Sequence, residues 1–231
     1  MRAMHAGIIA AGLGERLKAS GLPKPLVPVA GRPLVHWIVA GLQHAGADAI
    51  TILLNTKGGE VRRSLETAFP RMRWRFLDWD SPSSWESFRR VSAELAGCAE
   101  RFVISTVDAL ARPEDVARFA ARALEAGEDA ALAVTPFVDD ENPLWVDVEA
   151  GRAKAVGVDA KRKERVTCGL YGLSGTLARR LPRQEHERLR DYWTTLARSG
   201  ARISAVDIEK TIDVDRPEDL TAAEDFLRST A

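Results

Sequence analysis

Short apolar runs alternate with stretches of helical periodicity down most of this 231-residue chain, and that alternation restricts it to a small set of folds. Residues 7–11 are apolar and free of charge, as suits a central strand buried on both faces. Residues 33–45 then place Leu34, Ile38 and Leu42 at helical spacing, and Gly46 stops the helix. Residues 49–54 read as a strand, 59–69 as a helix, 72–77 as a strand, and 85–95 as a helix capped by Ser84. The series continues with a strand at 101–105, a helix at 113–126 and a strand at 130–135. Such βαβ units need right-handed crossovers and put helices on both faces of a parallel sheet. The expected fold class is α/β, a three-layer Rossmann-like sandwich with a mostly parallel central sheet. With 45% hydrophobic residues the chain can build the core of one domain over residues 1–231.

The order loosens further on. Residues 145–148, 153–158 and 167–173 read as short antiparallel strands separated by Glu149-Ala150-Gly151 and by the charged segment 161–165. A helix at 186–199, a strand at 201–206 and a helix at 217–228 close the pattern.

In a sheet of this kind ligands gather beyond the carboxyl ends of the strands. The connection that leaves the first strand there is GLGERLKASGLPKPLVPVAGRP. Gly12 and Gly14 permit a tight turn whose N–H groups approach an anion closely, and Arg16 and Lys24, eight positions apart, add fixed positive charge. The loop therefore reads as one that handles a triphosphate. A Walker loop would end in Gly-Lys-Ser/Thr, and a dinucleotide fingerprint would need a small residue where Leu17 stands, so neither fits. Asp108, just past the 101–105 strand, brings a carboxylate to the same edge.

The two-part signature GxGxRL and PKPLVPVAGRPL resembles that of the nucleotidyltransferase family. The short spacing from Arg16 to Lys24 is similar to that of members acting on polyol or small-alcohol phosphates. The resemblance implies transfer of a nucleoside monophosphate from a triphosphate to a small phosphorylated acceptor, with release of pyrophosphate and a requirement for Mg2+. The acceptor classes it admits are a sugar 1-phosphate, a polyol phosphate or a phosphorylated amino alcohol, and the antiparallel insertion would form the acceptor side of the cleft. By the same resemblance Arg16 holds the β and γ phosphates, and Lys24 meets the α-phosphate or the incoming phosphate. Backbone groups of Ala10, Ala11, Gly12 and Gly14 meet the nucleotide, with Ser87 approaching it from the helix after the third strand. Mg2+ needs only one or two carboxylates. Asp108 is one, and TIDVDRPEDL, which resembles an element near the end of family members, makes Asp215 the other with Asp213 as fallback. Asp213 and Asp215 also suit a helix N-terminus, where Glu218 and Asp219 are placed to favour the dipole.

Two positions depart from the family. Val107 stands where many members have glycine before the aspartate, and the Glu-Lys-Pro acceptor motif is missing. Lys161 and Lys163 occupy its approximate region, either as phosphate contacts or as a solvated charged loop. Trp79, Trp85 and Trp145 either line the acceptor pocket or stack on a base, or they are packing residues. A molybdopterin-type nucleotidyltransferase, a glycosyltransferase using a nucleotide-sugar and a silent nucleotide-binding module are the rival readings.

Lys+Arg and Asp+Glu are each 33, so no global field favours nucleic acid or an anionic membrane. No apolar run has membrane-spanning length. Cys98 and Cys168 are too few for a disulfide framework and are expected in the core, which suits a cytoplasmic setting. His36, His44 and His186 show neither metal-ligand spacing nor a nucleophile constellation.

Overall fold

The computed structural model describes residues 4–12, 14, 17, 21–138 and 142–229. The expected alternation is present as β1 (Met4–Ala10), α1 (Leu34–His44), β4 (Ala47–Leu54), α2 (Gly59–Ala68), β5 (Arg73–Asp78) and α3 (Ser84–Leu95). It continues with β6 (Arg101–Thr106), α4 (Pro113–Ala123) and β8 (Ala130–Thr135). Two short ribbons, β2 (Pro28–Val29) with β3 (Arg32–Pro33) and β7 (Ala109–Ala111) with β13 (Thr211–Asp213), have no counterpart in the sequence pattern. The remaining elements are β9 (Val146–Glu149), β10 (Arg152–Val156), β11 (Val166–Ser174), α5 (Gly175–Ala178), α6 (Leu189–Arg198), β12 (Ile203–Asp207) and α7 (Pro217–Arg228).

The large sheet runs β5-β4-β1-β6-β11-β8-β12-β10-β9. The pairings orient all but β10 and β11 the same way, so the sheet is mostly parallel, as expected. The strand expected at 167–173 belongs not to the small insertion but to the middle of this sheet. As β11 it pairs antiparallel with β6 through Tyr171 and Ile104, and with β8 through Tyr171 and Leu132. Only β9 and β10 remain as the antiparallel flap.

Helices cover both faces, and each face buries its own apolar cluster. One joins Ile8, Ile52, Val35, Leu42 and Phe119 against α1 and α4. The other joins Leu53, Ile104 and Leu132 to Trp85, Phe88 and Trp193 of α3 and α6. Trp85 has no exposed surface, and its ring lies 4.8 Å from those of Tyr192 and His186, so it packs the core and is no wall of a pocket. Trp79 lies under the Arg90 guanidinium at 4.1 Å. Two expectations need correction. Ser83, not Ser84, caps α3, accepting from the Glu86 N–H at 3.2 Å because its extended backbone precedes the helix. Cys98 is exposed just past α3, with its Sγ 3.0 Å from His5 Nδ1, whereas Cys168 is buried. Among the described residues no helix is long and apolar enough to cross a membrane.

Candidate active site

The first strand delivers its loop to the carboxyl edge of the sheet. Ala10 and Ala11 are buried at the end of β1, and Gly14 follows with φ +57°. A Cβ at Gly14 would lie 2.6 Å from Cβ of Lys24, so glycine is what lets the loop pass against that residue. Lys24 is held between Pro23 and Pro25 in a tight turn closed by the Leu26 N–H on the Pro23 carbonyl at 2.8 Å. Pinned prolines at both neighbours restrict where the lysine stem can go. Arg16 lies outside the described residues.

Lys24 is only 8% exposed, and its Nζ donates to Asp108 Oδ2 at 2.8 Å and to Asp215 Oδ1. These carboxylates are far apart in sequence, and the β7–β13 ribbon brings them together. Ala109 pairs with Asp213 and Leu110 with Ile212, and the Val214 N–H then donates to the Asp108 carbonyl at 3.2 Å. Asp215 emerges one residue later, beside Asp108. Its own N–H and that of Arg216 donate to Asp219 Oδ2 at 2.8 and 2.7 Å, so Asp219 serves the start of α7 and leaves the Asp215 side chain facing Lys24.

Burial alone would push the Lys24 ammonium down, but Asp108 and Asp215 outweigh it and hold the group above its ordinary range. Burial likewise works to raise the Asp108 carboxyl, and Lys24, helped by a hydrogen bond from Thr106, holds it below the usual carboxylate range. Both groups are therefore charged at neutral pH. Among the described residues no cluster of three or more His, Cys, Asp or Glu converges. The Asp108 and Asp215 pair nonetheless fits a magnesium ion, because its oxygens already converge on one cation and the donor set is all oxygen.

A cleft of about 520 Å3 opens over this cluster, walled by Ala11, Gly12 and Gly14 and by the serines Ser81, Ser83, Ser84 and Ser87. The serine wall is built from its own hydroxyls. Ser87, 4% exposed, donates to the Ser83 carbonyl at 3.2 Å, and Ser81 donates to the same carbonyl at 2.9 Å. Ser84 Oγ accepts from the Leu189 N–H at 3.2 Å, tying α3 to the start of α6. Ser87 thus lines the cleft with its hydroxyl already spent on the turn. Ala10 lines a small neighbouring recess with Gly12 and Lys24.

A second cleft of about 210 Å3 shares Ser84, Thr106 and Asp108 with the first and continues to Thr167, Tyr171, Arg190 and Asp213. Sequence reasoning missed Thr167, Tyr171 and Arg190. They meet here because β11 bulges between Thr167 and Tyr171 at Gly169, whose φ is +74° and whose Cβ would lie 2.4 Å from that of Ala109. A glycine inside a strand pattern was the available signal. Burial, reinforced by Asp213, keeps the Tyr171 hydroxyl protonated and able to donate. Lys161 and Lys163 are both exposed, and of the two Lys163 lines a third cavity together with Trp145.

A mostly parallel sheet with a glycine loop, a lysine clasped by two carboxylates and two confluent clefts at its carboxyl edge defines an α/β nucleotidyltransferase type of site. Residues 6–169 match the family described as the MobA-like NTP transferase domain, and the chain belongs to that family. It is 31% identical over 230 residues to the bifunctional IPC transferase and DIPP synthase of Rubrobacter xylanophilus, across 96% of this chain and 51% of that protein. It is 26% identical over 245 residues to the bifunctional protein GlmU of Sorangium cellulosum, across 97% of this chain and 52% of that protein. The chain thus spans about half the length of these curated relatives. The inositol-1-phosphate CTP transferase of T. maritima superposes with a TM-score of 0.82 at 18% identity, covering 97% of this chain and 95% of that one. A UDP-glucose pyrophosphorylase complexed with UDP-glucose gives 0.80 at 15% identity, covering 99% and 100%. At such identities these solved structures share the fold.

Proposed function

We propose that the protein transfers a nucleoside monophosphate from a nucleoside triphosphate to a small phosphorylated acceptor, releasing pyrophosphate, with Mg2+ as cofactor. The observation that carries this reading is the position of Lys24, whose ammonium joins Asp108 and Asp215 where the two clefts meet. An acceptor phosphate oxygen attacks the α-phosphorus, an α-oxygen bond forms, and the α–β anhydride bond breaks as pyrophosphate departs. The nucleophile is already anionic, so positioning and charge neutralisation matter more than a base.

Under this reading the larger cleft takes the triphosphate along the Ala11, Gly12 and Gly14 backbone, and Lys24 meets the α-phosphate and the incoming phosphate. Arg16 is assigned to the β and γ phosphates from its place in the loop. Asp108 and Asp215 are the residues to hold Mg2+, which when bound neutralises phosphate charge and aids departure of pyrophosphate.

The smaller cleft favours a hydroxyl-rich acceptor. Thr106, Thr167 and Tyr171 offer hydroxyls beside the carboxylate of Asp213 and the guanidinium of Arg190, an interleaving of donors and acceptors that suits a polyol or sugar phosphate. Arg190 opposes the ammonium of an amino alcohol. The names of the solved neighbours, an inositol-1-phosphate CTP transferase and a UDP-glucose pyrophosphorylase, support the same choice.

The test is pyrophosphate release over a matrix of four nucleoside triphosphates against sugar, polyol and amino-alcohol phosphates. Release that requires both a triphosphate and a sugar or polyol phosphate supports the reading. No release with any pair, alongside transfer from a preformed nucleotide-sugar, would replace it with the glycosyltransferase alternative.

A further inference from the structure

The acceptor cleft does not end at Arg190. Arg190 and Leu144 also line a third cavity of about 510 Å3, which runs between α6 and the turn at Gly157–Asp159. Its walls are partly apolar, with Trp145 and Val158 on one side, and its charges are unevenly answered. Arg198 is paired with Asp159 at 2.6 Å, and Asp191 accepts from the Arg188 N–H at 3.0 Å. Arg190 instead donates to the Asn142 carbonyl at 2.8 Å and meets no carboxylate at ion-pair distance among the described residues. Lys163 opens onto the same cavity, likewise without a carboxylate among the described residues, and holds φ at +52°, a left-handed conformation uncommon for a lysine.

Two arginines line these described cavities, and of them Arg198 leans on a carboxylate whereas Arg190 does not. A half-buried guanidinium with most of its five N–H donors unspent among the described residues, at the point where one cavity runs into the next, is placed for a ligand oxygen. A hydroxyl would satisfy one donor. An anion would answer the charge of Arg190 and, across the cavity, that of Lys163 as well.

Resting on the nucleotidyl-transfer reading, we infer that the acceptor carries a second acidic group at the end remote from the phosphate that attacks, and that Arg190 selects for it. The substrate class is therefore an acidic sugar or polyol phosphate, with the distal acid reaching the junction of the smaller cleft and the groove beyond it. Arg190 is a specificity residue here, and Lys163 adds to the field without fixing geometry.

Glucose 1-phosphate and glucuronic acid 1-phosphate form a matched pair differing in one carboxylate. With the intact chain, kcat/KM should favour the uronic acid by about tenfold or more, the scale of one hydrogen bond to a charged partner. In Arg190→Gln, which keeps amide donors and loses the charge, that ratio should collapse toward one while the KM for the triphosphate stays unchanged. If neither sugar is turned over but another acceptor is, the same ratio is read from their inhibition constants against that acceptor. Equal values in the intact chain, or a preference that survives Arg190→Gln, would overturn the inference and leave nucleotidyl transfer standing. Absence of pyrophosphate release with every acceptor would overturn both.

Discussion

Gly14→Ala is the substitution that most sharply separates a structural from a generic reading of the loop. Its φ of +57° costs a residue bearing a Cβ about 1–2 kcal/mol, and that Cβ would stand 2.6 Å from Cβ of Lys24. The obstacle is the stem of Lys24 at its root, held between Pro23 and Pro25, so it cannot swing aside as the tip of a flexible side chain would. Relief comes from moving the loop or moving Lys24 away from Asp108 and Asp215. For a chain of this size the backbone term alone lowers Tm by about 2–8 °C. A displacement on the order of 1 Å at Lys24 lowers kcat/KM by about 10²-fold. Gly12→Ala is the control for stability alone, because nothing among the described residues lies within 4 Å of the Cβ it would add and its φ is not positive, while that Cβ would enter the cleft proposed for the triphosphate. Thermal melts on both variants and steady-state kinetics on Gly14→Ala decide the matter. A Gly14→Ala protein with the Tm and kcat/KM of the intact chain would refute the proposed coupling of loop and lysine.

Lys24→Met should lower turnover by about 10²-fold, and it should destabilise the fold by about 1–3 kcal/mol, below the full cost of breaking a buried pair because Asp215 is 48% exposed; urea melts and turnover check both. Asp215→Asn should weaken the dependence of rate on Mg2+, whereas Asp213→Asn should raise the acceptor KM and keep that dependence; the reverse pattern would move the metal role to Asp213. Asp108 is held below the usual carboxylate range by Lys24 against the opposing effect of burial, so its contribution to stability is present above the unfolded carboxylate pKa and is lost as pH falls through the folded value. Melts from pH 7 down to pH 2 in a chelator should therefore show a steeper acid loss for the intact chain than for Asp108→Asn.

The alternation of strands and helices was legible because each element is long enough to show its period. The three-residue strands β7 and β13 are not, and they are what bring Asp108 to Asp215. The sequence alone places Asp108 just past a strand and Asp215 just before a helix, but their meeting depends on a ribbon whose pairing no local pattern announces. β11 misled for a related reason: its apolar run looks like any short strand, and only its hydrogen bonding on both edges puts it between β6 and β8. Gly12 and Gly14 read alike in the sequence, yet only Gly14 has a positive φ and a crowded Cβ. Arg190 carried no motif, since its proposed role depends on α6 and the bulge at Gly169 lining one cleft.

The fate of label from a doubly labelled triphosphate bears most directly on the central claim. With 32P at the α position and 33P at the γ position, incubation with Mg2+ and a polyol or sugar phosphate should put all 32P into a product joined to the acceptor. All 33P should appear in pyrophosphate, in equal molar amount, and both signals should fall together in Lys24→Met. Label from the γ position on the acceptor, or 33P released as orthophosphate with 32P left in a nucleoside diphosphate, would mean phosphoryl transfer or hydrolysis and would contradict the account.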